Sequence, residues 1–350
     1  MALAMIAVAC SSFSAPEVKG IKAWINSEPL TIEELRGKVV LVDFWTYTCV
    51  NCIRTFPYLR EWNERYADDG LVIVGVHSPE FEFEKDYSNV LKATRDNGIT
   101  WPVGQDNDFE TWDSYSNRFW PATYLVDKDG VVRYSHFGEG AYDETEDRIR
   151  DLLIDAGATL SNAPSGALGE QPVEQTFLET HMATVTRELF AGFVLASLGQ
   201  YVRQEDFFKN RGSVVDLEAP DDLKSGVIYF DGMWVTTPEY TRHGRATTNY
   251  EDTLSLVYSA RSLNAVLTSE SGEPYTVRIK LDGEFLTDEN KGVDVTISPN
   301  GESFVTVDEP RLYNVIEAPV YTTDNLLTMS SNSDDFGIFS FTFGVYETGP

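Results

Sequence analysis

Cys49 and Cys52, with two residues between them, are the side chains of this 350-residue chain whose type and spacing point most directly to chemistry. A cysteine attacks as its thiolate, and a second thiol one turn away attacks the mixed disulfide so formed and releases the partner. The stretch leading in, Val39-Val40-Leu41-Val42-Asp43-Phe44-Trp45, is β-branched and apolar. The stretch leading out, Ile53 to Tyr66, carries Phe56, Leu59, Trp62 and Tyr66 at helical spacing. Strand, corner and helix in that order place Cys49 at a helix N-terminus, where unpaired N–H groups and the helix dipole favour negative charge. Cys49 is then the nucleophile and Cys52 the resolving thiol.

Other uses of the pair fit less well. A zinc site wants two further ligands at suitable spacing, and the chain has three cysteines, four scattered histidines and no second Cys-x-x-Cys. A purely structural disulfide across so short a loop constrains little of the unfolded chain. No metal is expected, and a redox-active Cys49–Cys52 disulfide stands where a cofactor would.

Asp43 lies on the otherwise apolar strand before the cysteines. A buried carboxyl without an obvious partner has its pKa raised, which suits it to take and return the proton of Cys52. Trp45 is placed to pack beneath the dithiol and limit its access to water. His77 and Glu80 follow the apolar strand Leu71 to Val76, at the carboxyl edge where α/β sheets place their sites. They either tune the thiols or contact a partner, or they belong to a solvated loop. Gly138-Glu139-Gly140 reads as a tight turn.

The elements around the pair alternate. Ile21 to Ile25 reads as a strand, and Thr31-Ile32-Glu33-Glu34 carries a capping-box pattern for a short helix ended by Gly37. Residues 84–97 and about 108–117 read as helices, with a short strand around Pro102-Val103. Trp120 to Val126, the turn Asp127-Lys128-Asp129-Gly130 and Val131 to His136 form a hairpin, and Thr145 to Ala156 a terminal amphipathic helix. This is an α/β sheet.

Residues 158–172, rich in Ala, Ser, Gly and Pro, read as a linker. Beyond them, 173–200 hold helical candidates such as Thr186-Arg187-Glu188-Leu189-Phe190. From about 213 onward come short strand-like runs, among them 226–230, 253–260, 275–281, 293–298, 304–308, 313–317 and 338–346. Turn signals separate several of them, the pattern of an antiparallel sandwich. The expected organisation is a leader remnant at 1–15, an α/β domain at 16–157, the linker at 158–172, and a helical lead-in with a β-sandwich at 173–350. Trp234 and Tyr240 are positioned either to stack on a sugar ring or to fill the sandwich core.

Composition bounds the partners. Apolar residues make up 42% and aromatics 13%, ample for packed cores, while a net charge of −29 repels nucleic acid. Met1 to Cys10 is apolar but too short to span a bilayer, like the end of a signal sequence. Ala7-Val8-Ala9-Cys10 followed by two serines resembles a lipoprotein cleavage box, with Cys10 as the lipidated residue. An exported, extracytoplasmic protein, with or without a lipid anchor, is the expectation.

Asp43-Phe44-Trp45, then Cys-x-x-Cys, then Pro57 resembles the thioredoxin superfamily. The fuller string Phe44 to Thr55 is similar to the soluble extracytoplasmic part of DipZ-type thiol-disulfide interchange proteins, which group with the TlpA-like proteins of cytochrome c biogenesis. The resemblance implies a thioredoxin-like fold followed by a jelly roll similar to a carbohydrate-binding module, and the same proton-transfer role for Asp43. It also implies that Pro121 is the cis-proline beside the dithiol, so that Trp45, Trp120 and Pro121 are the expected substrate-binding residues. Expected partners are protein disulfides, a separate membrane or soluble electron donor, and a glycan on the second domain. Three functions follow: an exported thiol-disulfide oxidoreductase acting as a reductant, a thiol peroxidase, or a wall- or glycan-binding protein with a secondary redox domain.

Overall fold

A computed structural model of the chain describes residues 13–160 and 185–345. The proposed lipidation residue Cys10, most of the leader, the linker from 161 onward and the lead-in up to 184 lie outside the described residues. The chain divides into two compact units, Met1–Gln171 and Pro172–Pro350.

The first unit is built on one seven-stranded sheet. Its elements are β1 (Phe13–Ser14), β2 (Trp24–Ile25), β3 (Val39–Trp45), α1 (Val50–Tyr66), β4 (Leu71–His77), α2 (Tyr87–Asp96), β5 (Val103–Gln105), α3 (Glu110–Ser114), β6 (Ala122–Val126), β7 (Val131–Phe137) and α4 (Tyr142–Asp155). The strand order is β1-β7-β6-β3-β4-β5-β2. The central strand β3 runs parallel to β4 and antiparallel to β6, so Trp45 is level with His77 and Asp43 with Thr123. Every residue of β3 is buried, as a strand covered on both faces must be.

Alternation along β3 sorts its side chains between two cores. Val39, Leu41 and Trp45 pack with Phe56, Leu59 and Trp62 of α1 and with Ile149 and Leu153 of α4. Val40, Val42 and Phe44 pack on the other face with Trp112, Tyr115 and Tyr124. Asp43 shares the parity of Leu41 and Trp45, so the pleat aims it toward the face that α1 covers.

Several elements differ from the sequence reading. Helix α1 starts at Val50 rather than Ile53, because Cys49 itself is the N-cap. The Thr31–Glu34 bonds form (Thr31 Oγ1 to Glu34 Oε2 2.9 Å, Glu34 N–H to Thr31 Oγ1 3.2 Å), but they close turns, not an α-helix. Gly37 and the start of β3 leave no room for a second helical turn. The single helix expected at 84–97 is two pieces, a 3-10 turn at Glu82–Lys85 and α2, divided where the Asp86 side chain caps Ser88 and Asn89.

The second unit carries an eleven-stranded sheet whose named strands pair antiparallel throughout. Two strands dominate it, Thr253–Thr268 and Arg311–Ser330, which face one another from Thr253↔Ser330 to Leu267↔Arg311. Both exceed the sequence-based bounds, because buried polar residues such as Asn264 and Asn325 interrupt their apolar pattern. The helix expected over Thr186–Phe190 is corrected: Leu189–Phe190 is an edge strand paired with Phe341 and Ser340, and the helix follows at Phe193–Gly199. Trp234 is completely buried among Phe230, His243 and Phe336. Its indole N–H donates to the Asp231 carbonyl at 3.0 Å. Of its two readings, the core one holds. Tyr240 is half-buried, stacked on Phe339 and bonded to Glu270.

Candidate active site

The sequence folds locally into a corner because the β3 run ends at Trp45 and the α1 pattern starts five residues later. Between them, Thr46-Tyr47-Thr48 is buried and Cys49 is the first partly exposed side chain. Cys49 takes an extended backbone (φ −78°, ψ 106°) and caps α1 with its sulfur, which accepts the Cys52 N–H at 3.3 Å. That bond satisfies one of the orphan donors of the first turn. Cys49 is partly exposed, and Cys52 is completely buried. Burial first, then the neighbouring Cys49 sulfur, pushes the Cys52 thiol well above its ordinary range, and the Asp43 charge adds to the effect. The pair is therefore asymmetric: one sulfur reachable from solvent, one enclosed and protonated.

Asp43 is 1% exposed. Its Oδ1 accepts from Thr123 Oγ1 at 3.4 Å, and its Oδ2 has no hydrogen-bond partner. Burial raises its pKa to about 7 against the weak opposing effect of Thr123. Such a carboxyl exchanges a proton readily near neutral pH.

Trp45, expected against substrate, is fully buried, with its ring edge-on to Phe56 and His77 at 5.3 and 4.9 Å. It supports the dithiol corner from inside. The approach is close enough to require glycine opposite: a Cβ on Gly75 would lie 3.0 Å from the Trp45 indole nitrogen. His77 is fully buried, and burial drives its pKa down to about 3. It is neutral at physiological pH, and its Nε2 lies 3.3 Å from Thr46 Oγ1. Glu80 is half-buried on the loop that follows.

The Trp120–Pro121 peptide is cis. Pro121 is buried, while Trp120 is partly exposed, donates its indole N–H to Ser78 O at 3.0 Å and lies 4.4 Å from the Trp112 ring. The Pro121 carbonyl accepts from Gly138 N–H at 2.8 Å, which fixes the Gly138-Glu139-Gly140 turn beside it. Arg54, two residues after Cys52, reaches Glu139 of that turn at 3.3 Å.

Two participants escaped the sequence reading. Thr123 meets Asp43 across the sheet, a pairing that only the β3–β6 register reveals. The sequence reading gives Glu84 no role beyond the first position of a helix over 84–97. The residue is 0% exposed, and its carboxylate takes hydrogen bonds from Thr48, Glu80 and Phe81. Its position between Phe83 and the helix that follows Asp86 was the available signal. Among the described residues no group of three or more His, Cys, Asp or Glu side chains is arranged to hold a metal.

Comparison with known proteins places both units. Residues 9–135 match the AhpC/TSA family, and residues 196–344 match the thioredoxin-like C-terminal domain. Over 146 residues the chain is 49% identical to protein DipZ of Mycobacterium bovis, covering 41% of this chain and 21% of that protein. It is 33% identical to thiol-disulfide oxidoreductase YkuV of Bacillus subtilis, covering 40% of this chain and 94% of that protein. Thiol-disulfide oxidoreductase ResA of Bacillus cereus is 25% identical, with 37% and 71% covered. The chain thus spans about a fifth of the length of the DipZ relative and nearly all of the YkuV one.

Proposed function

The chain belongs to the thioredoxin-like thiol-disulfide oxidoreductases, and from that premise we propose that it reduces disulfides of extracytoplasmic proteins through Cys49 and Cys52. The observation that carries the reading is the asymmetric pair, a partly exposed Cys49 sulfur capping α1 over a buried, protonated Cys52.

The chemistry follows from that geometry. The Cys49 thiolate attacks one sulfur of a substrate disulfide, forming a Cys49–substrate bond and releasing the other substrate sulfur as thiolate. Cys52 then loses its proton to Asp43 and attacks the Cys49 sulfur. The Cys49–Cys52 bond forms, the substrate–Cys49 bond breaks, and the second substrate thiolate leaves. Two electrons pass to the substrate and the pair ends oxidised. The proton held by Asp43 returns to solvent or to the departing thiolate. A separate dithiol donor, membrane-bound or soluble, restores Cys49 and Cys52. The cis-Pro121 loop and the partly exposed Trp120 border the site where an extended substrate would lie. Among the described residues no helix is long and apolar enough to cross a membrane.

The test is an equilibrium redox titration of the full chain against glutathione, paired with reduction of a protein disulfide. A reversible two-electron couple at Cys49–Cys52 and turnover of the protein disulfide support the proposal. Hydroperoxide turnover far faster than disulfide reduction would replace it with a thiol peroxidase.

A further inference from the structure

Glu84 is an acid with no solvent exposure, and the exchange chemistry above makes no use of it. Its two oxygens are divided between two tasks. Oε2 accepts the backbone N–H groups of Glu80 and Phe81, at 2.5 and 3.0 Å, and so closes the short turn in which Glu84 itself lies. A turn of this kind needs only that half of the carboxylate. Oε1 faces the other way and accepts both the hydroxyl and the backbone N–H of Thr48, at 2.6 and 3.3 Å. Thr48 is buried and immediately precedes Cys49. Thr46, also buried, follows Trp45 at the start of the same corner, and its carbonyl accepts the Cys49 N–H at 3.4 Å. The residue that leads directly into Cys49 is thus tied to this carboxylate through both its hydroxyl and its N–H.

We infer that Glu84 is a positioning residue for the nucleophile, holding Thr48 so that the Cys49 sulfur stays in its N-cap posture against the Cys52 N–H. The inference rests on the reading of Cys49 as nucleophile. The N-cap bond from Cys52 N–H to sulfur is made to a thiol or thiolate. A disulfide sulfur is a poorer acceptor, so the bond favours the reduced pair. Anything that lets Thr48 drift weakens that bond and tilts the pair toward the disulfide. A carboxylate suits the task because each oxygen accepts two donors. An amide at position 84 would turn one face into N–H groups pointing at donors.

The experiment uses the full chain and four variants: Thr48→Val, Thr48→Ser, Glu84→Gln, and Thr48→Val with Glu84→Gln. The equilibrium of each with reduced and oxidised glutathione is read by alkylation and mass. Thr48→Val keeps side-chain size, N–H and the Glu84 charge and removes only the hydroxyl. It is expected to shift the equilibrium toward the Cys49–Cys52 disulfide by about fivefold, the effect of one hydrogen bond. Glu84→Gln should shift it in the same direction, and the combined variant no further than the larger single effect, since both act through one contact. Thr48→Ser restores the hydroxyl and should restore the parent value. Parent-like equilibria in Thr48→Val and Glu84→Gln overturn the inference. So does a serine variant as shifted as the valine one, or a combined effect that multiplies the single ones. If Glu84→Gln does not fold, the valine and serine pair decides. Limited iodoacetamide on the parent separates the two layers: labelling of Cys52 ahead of Cys49 refutes the nucleophile reading itself, whatever the variants show.

Discussion

Two buried aspartates of this protein, Asp43 in the first unit and Asp252 in the second, are treated in opposite ways. In the second unit Asp252 is 2% exposed and fully paired. Arg245 donates to both of its oxygens, at 2.7 and 2.6 Å, and His243 Nε2 lies 2.8 Å from Oδ2. Gly232, at φ +93°, makes room, since a Cβ there would fall 2.1 Å from Asp252 Oδ1. Burial alone would raise the Asp252 pKa, but Arg245 and His243 more than offset it and hold the carboxylate below its usual range. In the first unit Asp43 has one long bond to Thr123, an empty Oδ2 and a pKa near 7. A buried charge with partners is fixed and serves the fold. One without partners is poised between two protonation states, at a cost in stability, and serves the chemistry.

The largest expected effect tests the paired side. Asp252→Asn takes the charge out of the hydrogen bonds from Arg245 and His243, and each hydrogen bond to a charged group contributes about 1.5–3 kcal/mol. A calorimetric transition should move down accordingly while the rate of disulfide exchange at Cys49 stays at the parent value. A loss of exchange equal to the loss of stability would break the division of roles between the units.

Asp43→Asn should do the reverse. Between its ordinary pKa of 3.8 and its folded value of about 7, the folded protein holds a proton on Asp43 that the unfolded chain has released. The associated stability is fully present below the lower value and is lost as pH rises through the upper one. At about 1.4 kcal/mol per unit, the loss by pH 8 is roughly 4 kcal/mol. Denaturant unfolding of Asp43→Asn at pH 8 should therefore show a gain of up to that size over the parent, shrinking toward pH 4. Exchange should slow about 100-fold as the mixed disulfide accumulates, the usual scale of a lost general base. A variant no more stable at pH 8 than at pH 4 relative to the parent would mean that Asp43 is ionised in the folded state.

Thr123→Val gives the smallest effect. It removes the one hydrogen bond that holds the Asp43 pKa down. The midpoint of the pH dependence of stability should rise by about half a unit, with exchange altered less than about threefold. An unmoved midpoint would show that the 3.4 Å contact does not bear on Asp43.

The contrast also explains what was legible beforehand. Asp43 stood out because a carboxylate in a run of Val, Leu, Phe and Trp has nowhere polar to go, and the strand–corner–helix order identified the cysteines at once. Asp252 carried no such mark: its partners Arg245 and His243 are close in sequence, but a loop of polar residues looks solvated until the sheet closes over it. Glu84 was hidden for a related reason, because its partners are backbone N–H groups brought round by the path of residues 78–81. The Leu189–Phe190 strand was hidden because its partner lies some 150 residues away. Local pattern reveals the elements that form their own contacts, and it is silent on those completed by distant strands.

The central claim is that Cys49 meets the substrate while Cys52 waits, protonated and buried, to resolve it. Trapping tests this most directly. The full chain carrying Cys52→Ser, and separately Cys49→Ser, is mixed with a disulfide-bonded protein, and covalent adducts are mapped by mass after quenching. The account predicts a mixed disulfide on Cys49 in the first variant and none in the second. An adduct on Cys52 in Cys49→Ser, formed at a rate comparable to that on Cys49, would contradict it.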